Sequence, residues 1–343
     1  MIVKLVQNLA SLVQTDFPID MVYLWCDGSE PAFRKRRTKY QEHSAQKDNF
    51  LSTGDVRFFD NDELKYSLRS LEKNAPWIRH IYIVTDRQIP NWINLKSPKI
   101  TIIDHSVVLP KELIPCFNSS VIERYIAFIP GLSEYFLYGN DDTFFGEPVK
   151  PDFFFKDRLP IVRLYYLNNN KQRYHIEELK TLKKQKKFWE KTVVNAWELL
   201  AKKHQLKGFP LYECHHNIDA YRKSDYLNTF QEFEADLDES KSRFRSLEDI
   251  QKVLFSIDAI LRNKAVAKIL PRYSKLRKYL FWLKPIHFES YFGTDCYKSI
   301  LALHFIRPIL FCVNSEGKTN EKRKKYAREF LEKRFPQKSG FEV

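Results

Sequence analysis

The sequence predicts an α/β protein, with a largely parallel sheet in its first half and a mostly helical second lobe. Three observations predict this. Short runs of β-branched and aromatic residues alternate with helix-patterned segments up to about residue 160, the order expected when helices cover a parallel sheet. The runs lead into acidic and small polar residues. Beyond them the pattern changes to longer, basic, helix-prone tracts.

The elements follow in order. Residues 21–25 (MVYLW) form an apolar run of strand formers, and 80–85 (HIYIVT), 99–104 (KITIID) and 134–138 (EYFLY) form three more. Residues 62–73 space Leu64, Leu68 and Leu71 as one helix face. Residues 119–128 (SSVIERYIAF) read as a helix opened by a Ser cap. From 168 to 208, Leu182, Trp189, Val193, Trp197 and Leu200 make a stripe at helical spacing, with the basic run 183–187 near its start. A helical region over 219–264 follows, then an aromatic-basic stretch over 272–287. A last helix over 320–334 buries Tyr326, Phe330 and Leu331. Neither a repeat nor a low-complexity linker interrupts the chain. The expected organisation is an α/β core over 1–160, a helical lobe over 161–310, and a strand and helix over 311–343 that complete the core.

Composition narrows the function classes. Of 343 residues, 43% are hydrophobic and 15% aromatic, enough for a substantial core. The formal charge of +14 favours polyanionic partners. The basic residues match no nucleic-acid-binding module, so no nucleic acid is expected. Five cysteines without a CxxC pair argue against a zinc knuckle or a disulfide framework and fit a reducing cytoplasm. The N-terminus lacks the features of a signal peptide, and no run is long enough to cross a bilayer. A cytoplasmic protein is expected, with any membrane contact peripheral, at the inner face.

The chemistry gathers at the strand ends. The first strand runs into Cys26-Asp27-Gly28-Ser29, the second into Asp86, and the last into Gly139-Asn140-Asp141-Asp142. Open α/β sheets bind ligands outside the carboxyl ends of their strands. Hard cations such as Mg²⁺ take carboxylate oxygens together with substrate phosphates. Adjacent aspartates at a strand end suit that task. Ser119 and Glu123 lie one helical turn apart, and Ser119 at a helix start would favour an anion.

Residues 19–31 (IDMVYLWCDGSEP) resemble the first conserved block of the Stealth family. Residues 57–92, continuing through Cys116-Phe117-Asn118-Ser119 and Glu123 to 137–155 (LYGNDDTFFGEPVKPDFFF), resemble the second. Residues 215–224 (HHNIDAYRKS) with 245–251, and 311–317 with 330–342, are similar to the third and fourth. Two positions depart from the usual pattern: Asn217 follows His216 where Pro is common, and Ser315 follows Asn314 where Asp is common.

The resemblance implies a Rossmann-like, glycosyltransferase-A-like nucleotide-sugar-binding core. It implies a capsular or exopolysaccharide phosphotransferase that moves hexose-1-phosphate from a UDP-sugar to a glycan hydroxyl, releasing UMP. By the same resemblance Asp141 and Asp142 hold Mg²⁺ or Mn²⁺. Asp27, Gly28, Ser29, Asn118, Ser119 and Asn140 contact the UDP-sugar. His216, or His215 beside it, is the base, Arg245 clamps phosphate, and Glu123 joins the catalytic group. Arg57, Asp60, Asn61, Asp62, Arg69 and Asn314 are expected to support them. Two rival readings are a metal-dependent glycosyltransferase that releases UDP and a polyanion-binding protein without catalysis.

Overall fold

The computed structural model describes residues 16–42, 44, 54–271, 288–315 and 320–343; the aromatic-basic stretch 272–287 and the N-terminal residues 1–15 lie outside the described residues. Its strands are β1 (Ile19–Leu24), β2 (Ile81–Thr85), β3 (Ile100–Asp104), β4 (Tyr135–Asn140), β5 (Thr143–Phe145), β6 (Phe155–Lys156), β7 (Leu159–Tyr166), β8 (Arg173–Tyr174), β9 (Phe209–Pro210), β10 (Tyr212–Cys214), β11 (Asp219–Arg222), β12 (Val266–Ile269), β13 (Ser290–Thr294) and β14 (Leu310–Asn314). The helices include α1 (Pro31–Gln41), α2 (Glu63–Asn74), α3 (His105–Val108), α4 (Ser119–Glu123), α5 (Ile176–Gln185), α6 (Phe188–Lys203), α7 (Lys223–Glu232), α8 (Glu234–Glu239), α9 (Val253–Leu261), α10 (Tyr297–Phe305) and α11 (Glu321–Arg334).

The main sheet has the order β3-β2-β1-β4-β11. Its first four strands are parallel, and β11 closes the edge antiparallel to β4. Every residue of β1 and β2 is buried, as a parallel sheet covered on both faces requires. Alternation assigns the faces. Val22, Leu24, Tyr82, Phe136 and Tyr138 pack toward the α6 and α9 side, with Val193, Trp197 and Leu254. Met21, Tyr23, Ile81, Ile83 and Leu137 meet Leu64, Leu68 and Leu71 of α2 on the other. All four expected core strands form, with their ends shifted by a few residues.

Two smaller sheets flank this one. β13, β14 and β5 make a three-stranded sheet, so the segment after 311 does return to the first half of the chain. Stacked Phe144 and Phe311, with centroids 4.8 Å apart, join it to Phe330 and Phe335. A second sheet runs β10-β7-β12, with β6 on β7. The span expected to be a mostly helical lobe therefore also supplies β7 to β13. Several of these strands are two to five residues long, too short to show their period beside the helices.

Other boundaries differ for local reasons. The basic tract is two helices, α5 and α6, broken at Lys186 and Lys187, whose backbones are extended. Lys183 pairs with Glu198 of α6. α4 stops at Glu123, and a separate 3₁₀ turn covers Ile126–Phe128. No described helix is long and apolar enough to cross a membrane.

Candidate active site

A cavity of about 820 Å³ opens along the carboxyl edge of the main sheet. Leu24 of β1 pairs with Asn140 of β4, so Cys26 and Asp141 leave adjacent strands at the same edge and both line the cavity. Asp141 and Asp142 form the two-residue step at which the chain passes from β4 to β5 and so changes sheet. α2 fixes that step: Ser67 Oγ donates to Thr143 O at 2.6 Å, and Asn74 Nδ2 to Phe145 O at 2.6 Å.

Asp142 is 8% exposed. Its Oδ2 accepts from Asn314 Nδ2 at 2.9 Å and from the Cys312 thiol at 3.3 Å. Its Oδ1 is buried without a hydrogen-bond partner among the described residues, as is Nε2 of His216. The His216 ring stands edge-on to Phe292. Burial lowers the His216 pKa against the pull of Asp142, so the imidazole is neutral. One potential ligand atom each from Asp142, His216 and Cys312 lies within 4.8 Å of the others. Cys312 itself is held as a thiol, since burial and Asp142 push its pKa well up.

More acid surrounds this corner. Burial, then Asp142, Glu63 and Asp60, raise the Asp141 pKa well above the carboxylate range. Burial and Asp60 bring Glu63 to about 8, and burial with Asp62 and Asp27 brings Asp60 to about 7. Such a group of acids cannot all ionise without a compensating charge. The orphaned atoms Asp142 Oδ1 and His216 Nε2 belong to the residue group whose spacing could hold a metal ion, with Asp141 the adjacent acid. This donor set includes an imidazole and is therefore less exclusively oxygen than the aspartate pair alone.

Basic groups line the same cavity. Arg245 donates from Nη2 to Ser119 Oγ at 2.5 Å. Burial lowers its pKa, as it does that of Arg57, which reaches about 9 with Arg245 as a second cause. Two guanidiniums lining one cavity, one of them depressed by the other, suit an anion. Lys252 lies over the Tyr138 ring at 4.7 Å and pairs with Asp219. Burial opposes its charge, but Asp219 and Glu123 outweigh that and raise its pKa. Glu123 accepts from Tyr138 Oη at 2.9 Å, and the same hydroxyl lies 2.9 Å from Asn140 Oδ1.

The cavity thus gathers His215, His216, Arg245, Glu123, Ser119, Asn140, Asp141, Asp142, Arg57 and Asn314 from the expected set. The others sit elsewhere, each with a structural task. Asp27 accepts from Ser29 N at 2.8 Å within its own turn, and its backbone is bracketed by Gln88. The space a Cβ would take at Gly28 is filled by Phe58, whose backbone O would lie 2.5 Å away. Asn118, not Ser119, caps α4, accepting from Ser120 N, while its amide donates to Ser242 O, Phe244 O and both oxygens of Asp249. His215 lines the cavity but is 1% exposed, with both ring nitrogens engaged, at Ser290 Oγ, Ile218 O and Asp219. That leaves His216 as the candidate base.

Asn61 donates to Lys324 O, and Asp62 sits at positive φ, capping nothing with its side chain. Arg69 forks onto Glu342 at 2.8 Å and 2.8 Å, locking α2 to the C-terminus. Asp60 lies outside the cavity lining but charges the acidic corner. Asn217, in the position where Pro is common, anchors its loop through Ser290 Oγ and Tyr291 O. Sequence reasoning missed Glu63 and Lys252. Each lay one residue beyond a named group, after Asp60-Asn61-Asp62 and after 245–251 respectively.

Fold and site together define an open-sheet α/β protein with a cavity at its carboxyl edge that both acidic and basic side chains line. Conserved regions 1 and 2 of the Stealth proteins match residues 17–45 and 57–161, which places these two regions of the chain in the Stealth family. An exopolysaccharide phosphotransferase of Streptomyces coelicolor is 49% identical over 141 residues, 40% of this chain and 23% of the relative. One from Lactiplantibacillus plantarum is 46% identical over 145 residues, 42% of this chain and 41% of the relative. A capsular polysaccharide phosphotransferase of Haemophilus influenzae is 41% identical over 147 residues, 43% of this chain and 40% of the relative. The matched stretch therefore spans less than half the length of each of these relatives.

Proposed function

We propose that the chain transfers a hexose-1-phosphate from a UDP-sugar to a hydroxyl of a capsular or exopolysaccharide glycan, forming a phosphodiester and releasing UMP. The carrying observation is that one cavity is lined both by carboxylates, one with an orphaned oxygen, and by the guanidiniums of Arg57 and Arg245, the charges a diphosphate and its cation require. The sheet order β3-β2-β1-β4, one half of a doubly wound nucleotide-binding sheet, supports a Rossmann-like, glycosyltransferase-A-like core. The relatives' names point to the same reaction class.

In this reading Arg245 and Arg57 neutralise the diphosphate, and Ser119 holds Arg245 in place. Asp141 and Asp142 would hold Mg²⁺ or Mn²⁺, which when bound withdraws charge from the phosphate oxygens. The acceptor oxygen attacks the β-phosphorus, the bond from that phosphorus to the bridging oxygen breaks, and UMP leaves. The acceptor proton passes to Nε2 of His216, which is neutral and unpartnered. Glu123 and Lys252 compensate each other beside Asn140 and keep that floor of the cavity ordered.

The test is product analysis. Purified protein, a panel of UDP-sugars and short glycan acceptors should yield UMP and a new phosphodiester by phosphorus NMR and mass spectrometry. UDP as the leaving group would replace this reading with glycosyl transfer.

A further inference from the structure

The cavity has a third polar region that the proposed chemistry leaves unused. Thr85 of β2 pairs with Asp104 of β3, so Asp86 and His105, the next residues, stand side by side at the sheet edge. Both line the cavity. Asp86 is 1% exposed and His105 5%. Asp86 Oδ2 accepts from Arg36 Nε at 2.9 Å, and Arg36 Nη2 donates to the Asp86 carbonyl at 2.8 Å. Asp86 Oδ1, His105 Nδ1 and Thr85 Oγ1 have no hydrogen-bond partner among the described residues. A buried polar atom left unsatisfied costs about 1–3 kcal/mol, and the two on Asp86 and His105, which both line the cavity, call for a ligand.

Their chemistry narrows that ligand. Arg36 fixes one oxygen of the carboxylate and leaves the other as a free acceptor on a residue that lines the cavity. Burial brings His105 down to about 4, so its ring is neutral, with one nitrogen a donor and the other an acceptor. Leu24, Phe33, Val84 and Phe117 supply an apolar surround. A carboxylate in an apolar pocket repels phosphate and accepts from N–H or O–H. Asp141 and Asp142 lie beyond β1, at the end of β4.

We propose that the Asp86–His105 corner is the nucleoside subsite of the sugar-nucleotide donor, with Asp86 Oδ1 accepting a hydrogen bond from a ribose hydroxyl or from the base imide. This assignment rests on the donor reading given under Proposed function. It sets the polarity of the bound donor: nucleoside at the β2–β3 ends, diphosphate across the β1–β4 ends.

Calorimetric titration of wild type and Asp86→Asn with UMP, 2′-deoxy-UMP, N3-methyl-UMP and inorganic pyrophosphate tests it. In Asp86→Asn the amide oxygen stays with Arg36 and the NH₂ turns into the cavity, replacing the acceptor by a donor. UMP affinity should fall about 10- to 100-fold, while pyrophosphate affinity holds within about twofold. The analogue that binds wild type weakly, and is weakened no further by Asp86→Asn, identifies which group Asp86 accepts from. His105→Phe, which leaves the Asp86–Arg36 pair in place, should also weaken UMP selectively, and thermal melts check that both variants fold. Equal UMP affinity in wild type and both variants overturns the subsite. Wild type that binds pyrophosphate but not UMP overturns the nucleotide-donor reading instead.

Discussion

Asn118 separates a positioning role from a ligand-binding one, and Asn118→Ala is the perturbation that tells them apart. The side chain is wholly buried. Its oxygen caps α4 at Ser120 N, 3.1 Å, and its amide spans the Asp249 oxygens at 2.9 Å and 3.1 Å and the carbonyls of Ser242 and Phe244. Losing the cap costs about 1 kcal/mol. Stripping a partner from the buried Asp249 carboxyl costs a further 1–3 kcal/mol or so. Urea unfolding at neutral pH should therefore show a loss of about 3 kcal/mol, with UMP affinity falling only through the displaced Ser119–Arg245 pair. Asn118→Asp, which keeps the cap but sets a carboxylate against Asp249, should destabilise as well. A variant within about 0.5 kcal/mol of wild type that had nonetheless lost UMP binding more than tenfold would refute this account and make Asn118 a ligand contact.

Four further outcomes follow. Chelation with EDTA should abolish turnover and Mg²⁺ or Mn²⁺ should restore it, whereas Asp142→Ala should stay inactive at any metal concentration and show weakened Mn²⁺ binding by paramagnetic resonance. His216→Ala should cut turnover about 10²-fold or more while holding Mn²⁺ affinity within about threefold; parallel loss of both would make His216 a metal ligand rather than the base. His105, ordinarily 6.5 and about 4 when folded, binds its proton more readily in the unfolded chain. Stability should thus fall as pH drops from 6.5 toward 4, by up to about 3 kcal/mol, and His105→Gln should flatten that slope in urea titrations. Gly28→Ala should destabilise by about 1–3 kcal/mol, measured by thermal unfolding, because its Cβ would meet Phe58 O at 2.5 Å.

The main sheet was legible because burial on both faces leaves its strands as near-continuous apolar runs. MVYLW and HIYIVT announce β1 and β2 whatever the rest of the chain does. The later strands were not legible, because each is short and takes its order from a distant partner. β11 is four residues, DAYR, and exists as the antiparallel edge of β4. β14 is a strand between β5 and β13, one of which precedes it by more than a hundred residues. Local pattern carries no record of such pairings. The basic tract misled in another way: its stripe runs on through Leu182 and Trp189, yet the chain straightens at Lys186 and Lys187, so one period was shared by two helices.

Strand ends were the reliable guide to the site, and single residue types were not. Asp142 and His216 each carry an orphaned buried atom, and Asp141 is the raised acid beside them; all three stand at or just beyond strand ends. Asp27 stands just beyond a strand end too, but one of its oxygens closes its own turn at Ser29 N and the residue does not line the cavity. A sequence shows that a carboxylate reaches the rim; it does not show whether the local turn consumes it. Asp86 is the converse case. Its strand placed it at the rim, and Arg36, fifty residues back on α1, takes one oxygen and leaves the other as a free acceptor on a residue that lines the cavity. The polar atoms that matter for chemistry here are those the fold buries and then declines to satisfy. Satisfying them takes a ligand, and the cost of leaving them bare is a binding energy held in reserve for it.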